Sequence, residues 1–166
     1  SGTGWVVRNN EIHNCLDDGL FSRARNFLYE RNHIYDVDQG NLIGDCIQNS
    51  CLSNCGNSII RNNTLRHPIG GVKQAIIVED AGPGGVLQIY GNDIQGGGGS
   101  CVALGVVGAL CYGNTIDGLE NTINVSILRS SVKVKSNLLK NGTYGLIFTV
   151  NDCTDVEFDG NTLIGT

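Results

Sequence analysis

An asparagine followed two residues later by isoleucine or leucine recurs seven times: Asn10-Glu11-Ile12, Asn32-His33-Ile34, Asn63-Thr64-Leu65, Asn92-Asp93-Ile94, Asn114-Thr115-Ile116, Asn137-Leu138-Leu139 and Asn161-Thr162-Leu163. Successive asparagines lie 22, 31, 29, 22, 23 and 24 residues apart. A period in this range marks stacked supersecondary units, none of which can bury its apolar side alone.

Each asparagine follows a short β-rich run. Three residues before it, one column reads Val7, Tyr29, Ile60, Ile89, Cys111, Val134, Phe158. A second run follows in six units: Gly19-Leu20, Cys46-Ile47, Ala75-Ile76, Cys101-Val102, Thr122-Ile123 and Gly145-Leu146. Strand alternation turns every second residue inward. A unit of 22 residues is too short for a βαβ crossover but holds one coil of three short strands. The asparagine is expected at a tight bend in left-handed backbone, with stacked amides bonded to one another. The 24 glycines serve the other bends, and the two prolines, Pro68 and Pro83, fall in the longer insertions. A leucine-rich horseshoe would need more leucine per unit, and a propeller would need longer blades.

In this pattern the chain resembles the right-handed parallel β-helix proteins typified by pectate and pectin lyases. The resemblance implies an all-β, right-handed parallel β-helix of about seven rungs of three short strands. It leaves polysaccharide lyases, hydrolases, epimerases, tailspikes and adhesins all open.

One domain over residues 1–166 suffices for a continuous core. The net charge of −5, without a basic run, argues against nucleic acid, and no stretch has membrane-spanning length. Methionine is absent, and Trp5-Val6-Val7 opens a strand without a polar cap. The chain is therefore expected to be the central part of a larger β-helix protein. The outward stripe of Val6, Leu28, Ile59 and Leu110 is expected to be covered by flanking segments or by a second copy. Trp5, two residues before Val7, is expected in the core. Most of the seven cysteines read as small apolar fillers. Cys51 and Cys55 share a loop and are the plausible local pair; no histidine has zinc-site spacing, and no metal or other cofactor is expected. The sequons at Asn62, Asn124 and Asn141 read as by-products of an asparagine-rich repeat.

The two long units carry insertions on both sides of one strand: Asp36 to Asn41 and His67 to Gly71 before it, Asn49 to Cys55 and Glu79 to Gly85 after it. Long loops on a rigid solenoid wall a binding face. Aligned on Leu20, Ile47 and Ile76, the lip positions are Asp18, Asp45 and Gln74, continuing as Ser100, Asn121 and Tyr144. Asp18 and Asp45 are expected to stack on adjacent rungs beside Asp17, the mutual charge raising one pKa. One protonated and one ionised carboxyl is what glycoside hydrolysis requires. The alternative is that all three aspartates cap turns. Gly44-Asp45-Cys46-Ile47 resembles the Asp-Asp-Cys-Ile strand of polygalacturonases, although Gly44 replaces the first Asp and neither Gly-His-Gly nor Arg-Ile-Lys is present. A second column, His13, Tyr35 and Arg66, is expected to line the same groove and position a sugar acid, with Gln48, Gln74 and the stacking ring of Phe21 also binding substrate. The expected function is cleavage of an extracellular or cell-surface polysaccharide or oligosaccharide by paired Asp18 and Asp45, supported by Asp17. A lyase comes second, since only His13, Arg66 and Lys73 are near enough to serve it. The other reading is a non-catalytic tailspike, adhesin or scaffold.

Overall fold

A computed structural model describes residues 2–37, 44–51, 55–68, 73–80, 85–119, 123–148 and 153–165. These residues form a parallel β-helix without any helix, in three sheets whose strands pair only with neighbouring rungs. The first sheet stacks Val6–Arg8, Leu28–Glu30, Ile59–Arg61, Leu87–Tyr90, Ala109–Tyr112, Val132–Lys135 and Glu157–Asp159. The second stacks Glu11–Ile12, His33–Tyr35, Thr64–Arg66, Asp93–Gln95, Thr115–Asp117, Leu138–Lys140 and Thr162–Ile164. The third stacks Leu20–Ser22, Ile47–Cys51, Ile76–Asp80, Ser100–Gly105, Ile123–Ile127 and Tyr144–Phe148.

The two inward columns pair as expected. Val7 through Phe158 are in register in the first sheet, and Ile12 through Leu163 in the second. Tyr29, Ile34, Ile60, Leu65, Ile89, Ile94, Ile116 and Leu139 are fully buried between the sheets. In the third sheet Leu20, Ile47, Ile76 and Val102 also align, but the fifth rung pairs Val125, not Ile123, with Val102 and Leu146. The expected alignment on Thr122-Ile123 is thus two residues out of register: Ile123 and Val125 are both β-branched and apolar and lie two apart, so strand alternation is the same at either offset. The lip position on that rung belongs to Ile123 rather than Asn121, which lies outside the described residues, as do most of the insertions (38–43, 52–54, 69–72 and 81–84).

Between the first and second sheets the asparagines form one continuous ladder. From Asn10 to Asn137, each Nδ2 donates to the Oδ1 of the next rung's asparagine at 2.9–3.0 Å. The same Oδ1 also accepts the backbone N–H of the asparagine before it, at 2.9–3.2 Å. From Asn32 to Asn161, the second Nδ2 hydrogen reaches back to the inward residue's carbonyl on the preceding rung. The left-handed residue at this bend is not the ladder asparagine but the one before it: Asn9, Arg31, Asn62, Gly91, Gly113, Ser136 and Gly160 all have φ between 52° and 63°. Ladder positions therefore select asparagine for its amide, which both donates and accepts, rather than for its backbone tolerance. Arg31 and Ser136 accept a conformation that costs a non-glycine residue about 1 kcal/mol.

Cys46, Cys101 and Cys111 are fully buried free thiols, and burial pushes the Cys111 thiol up to about 12. Cys51 and Cys55 form a disulfide with Cα atoms 5.2 Å apart. Trp5 is not in the core: it precedes the strand Val6–Arg8, its ring lies against Gly2, and it is 50% exposed. The outward column of the first sheet runs Val6, Leu28, Ile59, Gln88, Leu110, and Val6 is 56% exposed. Beside it Glu30 is buried against Arg61 at 2.7 Å, Arg61 reaches the Tyr90 hydroxyl at 2.9 Å, and Tyr90 stacks on Tyr112.

Candidate functional site

Asp17 and Asp18 stand where the chain turns from the second sheet into Leu20–Ser22, after the left-handed Asn14. The next rung holds this turn from below: Gly19 N–H donates to Asp45 O at 2.9 Å and Leu20 N–H to Cys46 O at 3.0 Å. Gly19 occupies the column filled by Cys46, Ala75 and Cys101; a Cβ there would come within 2.5 Å of Ile34 Cγ2. Gly44 is equally confined, since a Cβ would lie 2.5 Å from the Asp17 carbonyl carbon and oxygen. The Asp17 and Gly44 backbones thus press together, rung against rung.

A cavity of about 370 Å³ opens beside this turn, lined by Asp17, Asp18, Phe21 and Gln48. Phe21 and Gln48 are register partners on the outer face of the third sheet. The Phe21 ring is 52% exposed, with the Arg23 guanidinium 5.8 Å from its centroid. None of these lining residues carries a positive charge.

The aspartate column continues under the cavity wall. Asp45 N–H donates to Asp18 Oδ1 at 2.8 Å, and Gln74 N–H donates to Asp45 Oδ1 at 2.6 Å. Asp18 and Asp45 therefore stack on adjacent rungs, each carboxylate oxygen capping the next rung's backbone. Asp45 is not a surface lip residue, however. It is fully buried, and its Oδ2 has no hydrogen-bond partner among the described residues. Its carboxyl is pushed up to about 7, chiefly by burial, with the Asp18 charge adding to the rise while the Gln74 amide and Lys73 oppose it. Desolvation, rather than the mutual repulsion expected from the stack, is the main cause.

The remaining candidates divide between two faces. Gln74 contributes its backbone N–H to Asp45 and is half-buried. His13, Tyr35 and Arg66 form a column on the second sheet, separate from the four cavity-lining residues. His13 stacks on Tyr35 at 4.9 Å, the Tyr35 hydroxyl donates to Glu11 at 2.8 Å, and Arg66 pairs with Asp93 at 2.5 Å. Their polar groups answer one another across rungs. Among the described residues no set of three His, Cys, Asp or Glu side chains is arranged to hold a metal.

Two buried polar groups carried no sequence signal. Ser22, Tyr29 and Asn49 form a hydrogen-bonded trio inside the core, with Ser22 Oγ 2.5 Å from Tyr29 Oη and 2.6 Å from Asn49 Nδ2. His67, read as part of an insertion, is buried with Nε2 2.8 Å from Gly44 O and Nδ1 2.9 Å from Pro68 O. Its place, one residue past Thr64–Arg66 and just before Pro68, is the only hint the sequence offers.

Among solved structures, the chain is similar to the periplasmic alginate epimerase AlgG, with a TM-score of 0.68 at 12% identity, over 97% of this chain and 45% of that one. Crystal structures of a single mutant and a double mutant of the same enzyme match with TM-scores of 0.67 and 0.60 and the same coverage. This likeness shows the fold, and the chain spans less than half the length of those solved chains. No protein-family model matches the sequence, and no curated protein does.

Proposed function

We propose that this chain is the core of a carbohydrate-active β-helix that receives a glycan at the Asp17, Asp18, Phe21 and Gln48 cavity and cleaves it by acid–base glycoside hydrolysis. The observation that carries this reading is the juxtaposition of an exposed aromatic ring, an amide and two accessible carboxyls directly above a buried carboxyl that holds its proton up to about pH 7. An aromatic face beside hydrogen-bonding groups suits a sugar ring. Glycoside hydrolysis needs two carboxyl groups in different protonation states. Asp17 and Asp18 are the two carboxyls that can meet the sugar, one giving the leaving oxygen its proton and the other activating water or attacking the sugar carbon, while Asp45 is buried behind Asp18 and tunes it. The solenoid likeness to a polysaccharide-modifying enzyme supports the substrate class. The Asp17 and Asp18 carboxyls give the described lining its negative charge, so the reading is of a neutral polysaccharide or oligosaccharide, met outside the cell or at its surface.

A second reading rests on one observation: Asp18 Oδ1 and Asp45 Oδ1 each cap the next rung's N–H. On that reading the aspartates are turn caps in a non-catalytic scaffold or adhesin. The two are separated by assaying the parent protein on a panel of neutral and acidic glycans for new reducing ends. Asp18→Asn is expected to lower cleavage at least about 100-fold, the scale of a lost general acid–base group; unchanged cleavage would make Asp18 a turn cap and refute this site, and no cleavage of any glycan by the unmodified protein would leave the scaffold reading. Phe21→Ala is expected to raise KM with less effect on kcat.

A further inference from the structure

We infer that His67 is a positioning residue of the acidic site, acting on Asp18 through the one peptide group that joins Gly44 to Asp45. The inference rests on the reading that Asp18 meets the substrate. The carbonyl of that peptide faces His67 Nε2 at 2.8 Å, and its N–H donates to Asp18 Oδ1 at 2.8 Å. One planar unit thus carries a hydrogen bond on each side, from a buried ring on the third rung to a carboxylate on the first. A carbonyl oxygen only accepts, so a hydrogen on Nε2 makes the Gly44 contact a hydrogen bond, as one on Nδ1 would the 2.9 Å contact with Pro68 O, and the relay is the Nε2 arrangement. Donation to the carbonyl polarises the peptide and strengthens what its N–H gives to Asp18.

The ring is seated to do this. It is 4% exposed. His67 N–H donates to Gln95 O at 2.8 Å on the fourth rung, and Gly96 packs so closely that a Cβ would lie 2.1 Å from His67 O. On the far side, Gly44 is pressed against the Asp17 backbone. A loss of the Nε2 donor would therefore be felt at both carboxyls that line the cavity. Asp45, whose own N–H is in the relay, stays behind the wall.

The test uses nuclear magnetic resonance on the labelled chain, together with kinetics on the parent protein. Two-bond ring couplings report the tautomer in the unmodified protein. A hydrogen on Nε2 is expected, and a neutral ring protonated only on Nδ1 would overturn the relay. Two substitutions then separate the donor from the volume. Gln at 67 places an amide N–H near the Nε2 position, whereas Asn reaches only the Nδ1 position. His67→Asn is expected to lower exchange protection of the Asp45 amide about fivefold, the effect of one ordinary hydrogen bond. It should also shift that amide proton upfield and lower kcat with little change in KM. His67→Gln should restore all three. Equal protection and equal amide shifts in the wild type and both variants would overturn the inference, as would a folded H67Q that behaves like H67N. A relay seen at the Asp45 amide in a protein that cleaves no glycan would sustain the inference and sink the proposed function instead.

Discussion

Replacing Asp45 by Asn is expected to stabilise the fold at neutral and alkaline pH and to remove a pH dependence that the wild type carries. The Asp45 carboxyl moves from its ordinary 3.8 to about 7 on folding, a rise of about 3 units. At 1.36 kcal/mol per unit the ionised form costs on the order of 4 kcal/mol. The sign follows from which state gives up its proton first. The unfolded chain ionises Asp45 near pH 3.8, while the folded one keeps the proton until about 7. Stability attributable to Asp45 is therefore greatest below 3.8, falls from there to about 7, and stays low above. An asparagine keeps the acceptor for Gln74 N–H but cannot ionise. Its amide group finds no partner among the described residues where Oδ2 sits, a cost that is the same at every pH. The informative quantity is thus the variant's stability minus the wild type's, measured by urea unfolding at pH 4.5, 6 and 8. Glu30 and Glu157, held below the ordinary carboxylate range by Arg61 and Lys135 first of all, weaken the fold as pH falls. They do so equally in both proteins and cancel in the difference. The difference should grow by about 3 kcal/mol between pH 4.5 and 8, or about 10 °C in Tm for a chain of this length. A difference that stays flat over that interval would refute the buried-carboxyl argument.

Asn63→Ala should destabilise the chain by on the order of 4 kcal/mol in urea unfolding, because it removes the acceptor of both Asn32 amides and the side-chain donor to Tyr29 O and Asn92 Oδ1 inside the ladder. Asn161→Ala on the outermost described rung should cost less than half as much, and equal costs would mean that the ladder is not what holds the bends. Thiol titration in denaturant without reductant should find five free groups, Cys15, Cys46, Cys101, Cys111 and Cys153, and seven after reduction.

The rung architecture could be read from sequence because two of its columns are held by different physical demands. Ile, Leu and Val recur where the core needs them, and Asn recurs where buried amides need a partner that both donates and accepts. The third sheet was harder. Its spacing from the asparagine varies with loop length, so Val125 and Ile123 could be exchanged without any conflict of polarity. Placing the aspartate column needed only that alignment, and Asp18 and Asp45 do stack. Whether each carboxyl faced the cavity or the interior could not follow from alternation, since Asp18, Asp45 and Gln74 sit in bends where alternation lapses. His67 was unreadable for a related reason. Its partner is a backbone carbonyl 23 residues away, and a carbonyl leaves no mark in the sequence.

The asparagine ladder has a polarity that bears on how such a chain can change over time. Every rung presents a hydrogen-bond donor pair to the rung after it and an acceptor to the rung before it, so any two rungs are interchangeable at that seam. A duplicated or deleted segment of one whole repeat would rejoin with the ladder intact, whereas a break at any other length would bury an amide facing nothing. Length is thus a quantity that such a gene can alter in whole rungs at little physical risk. The surface between the seams is then free to acquire insertions, and two of the six intervals, of 31 and 29 residues, carry them.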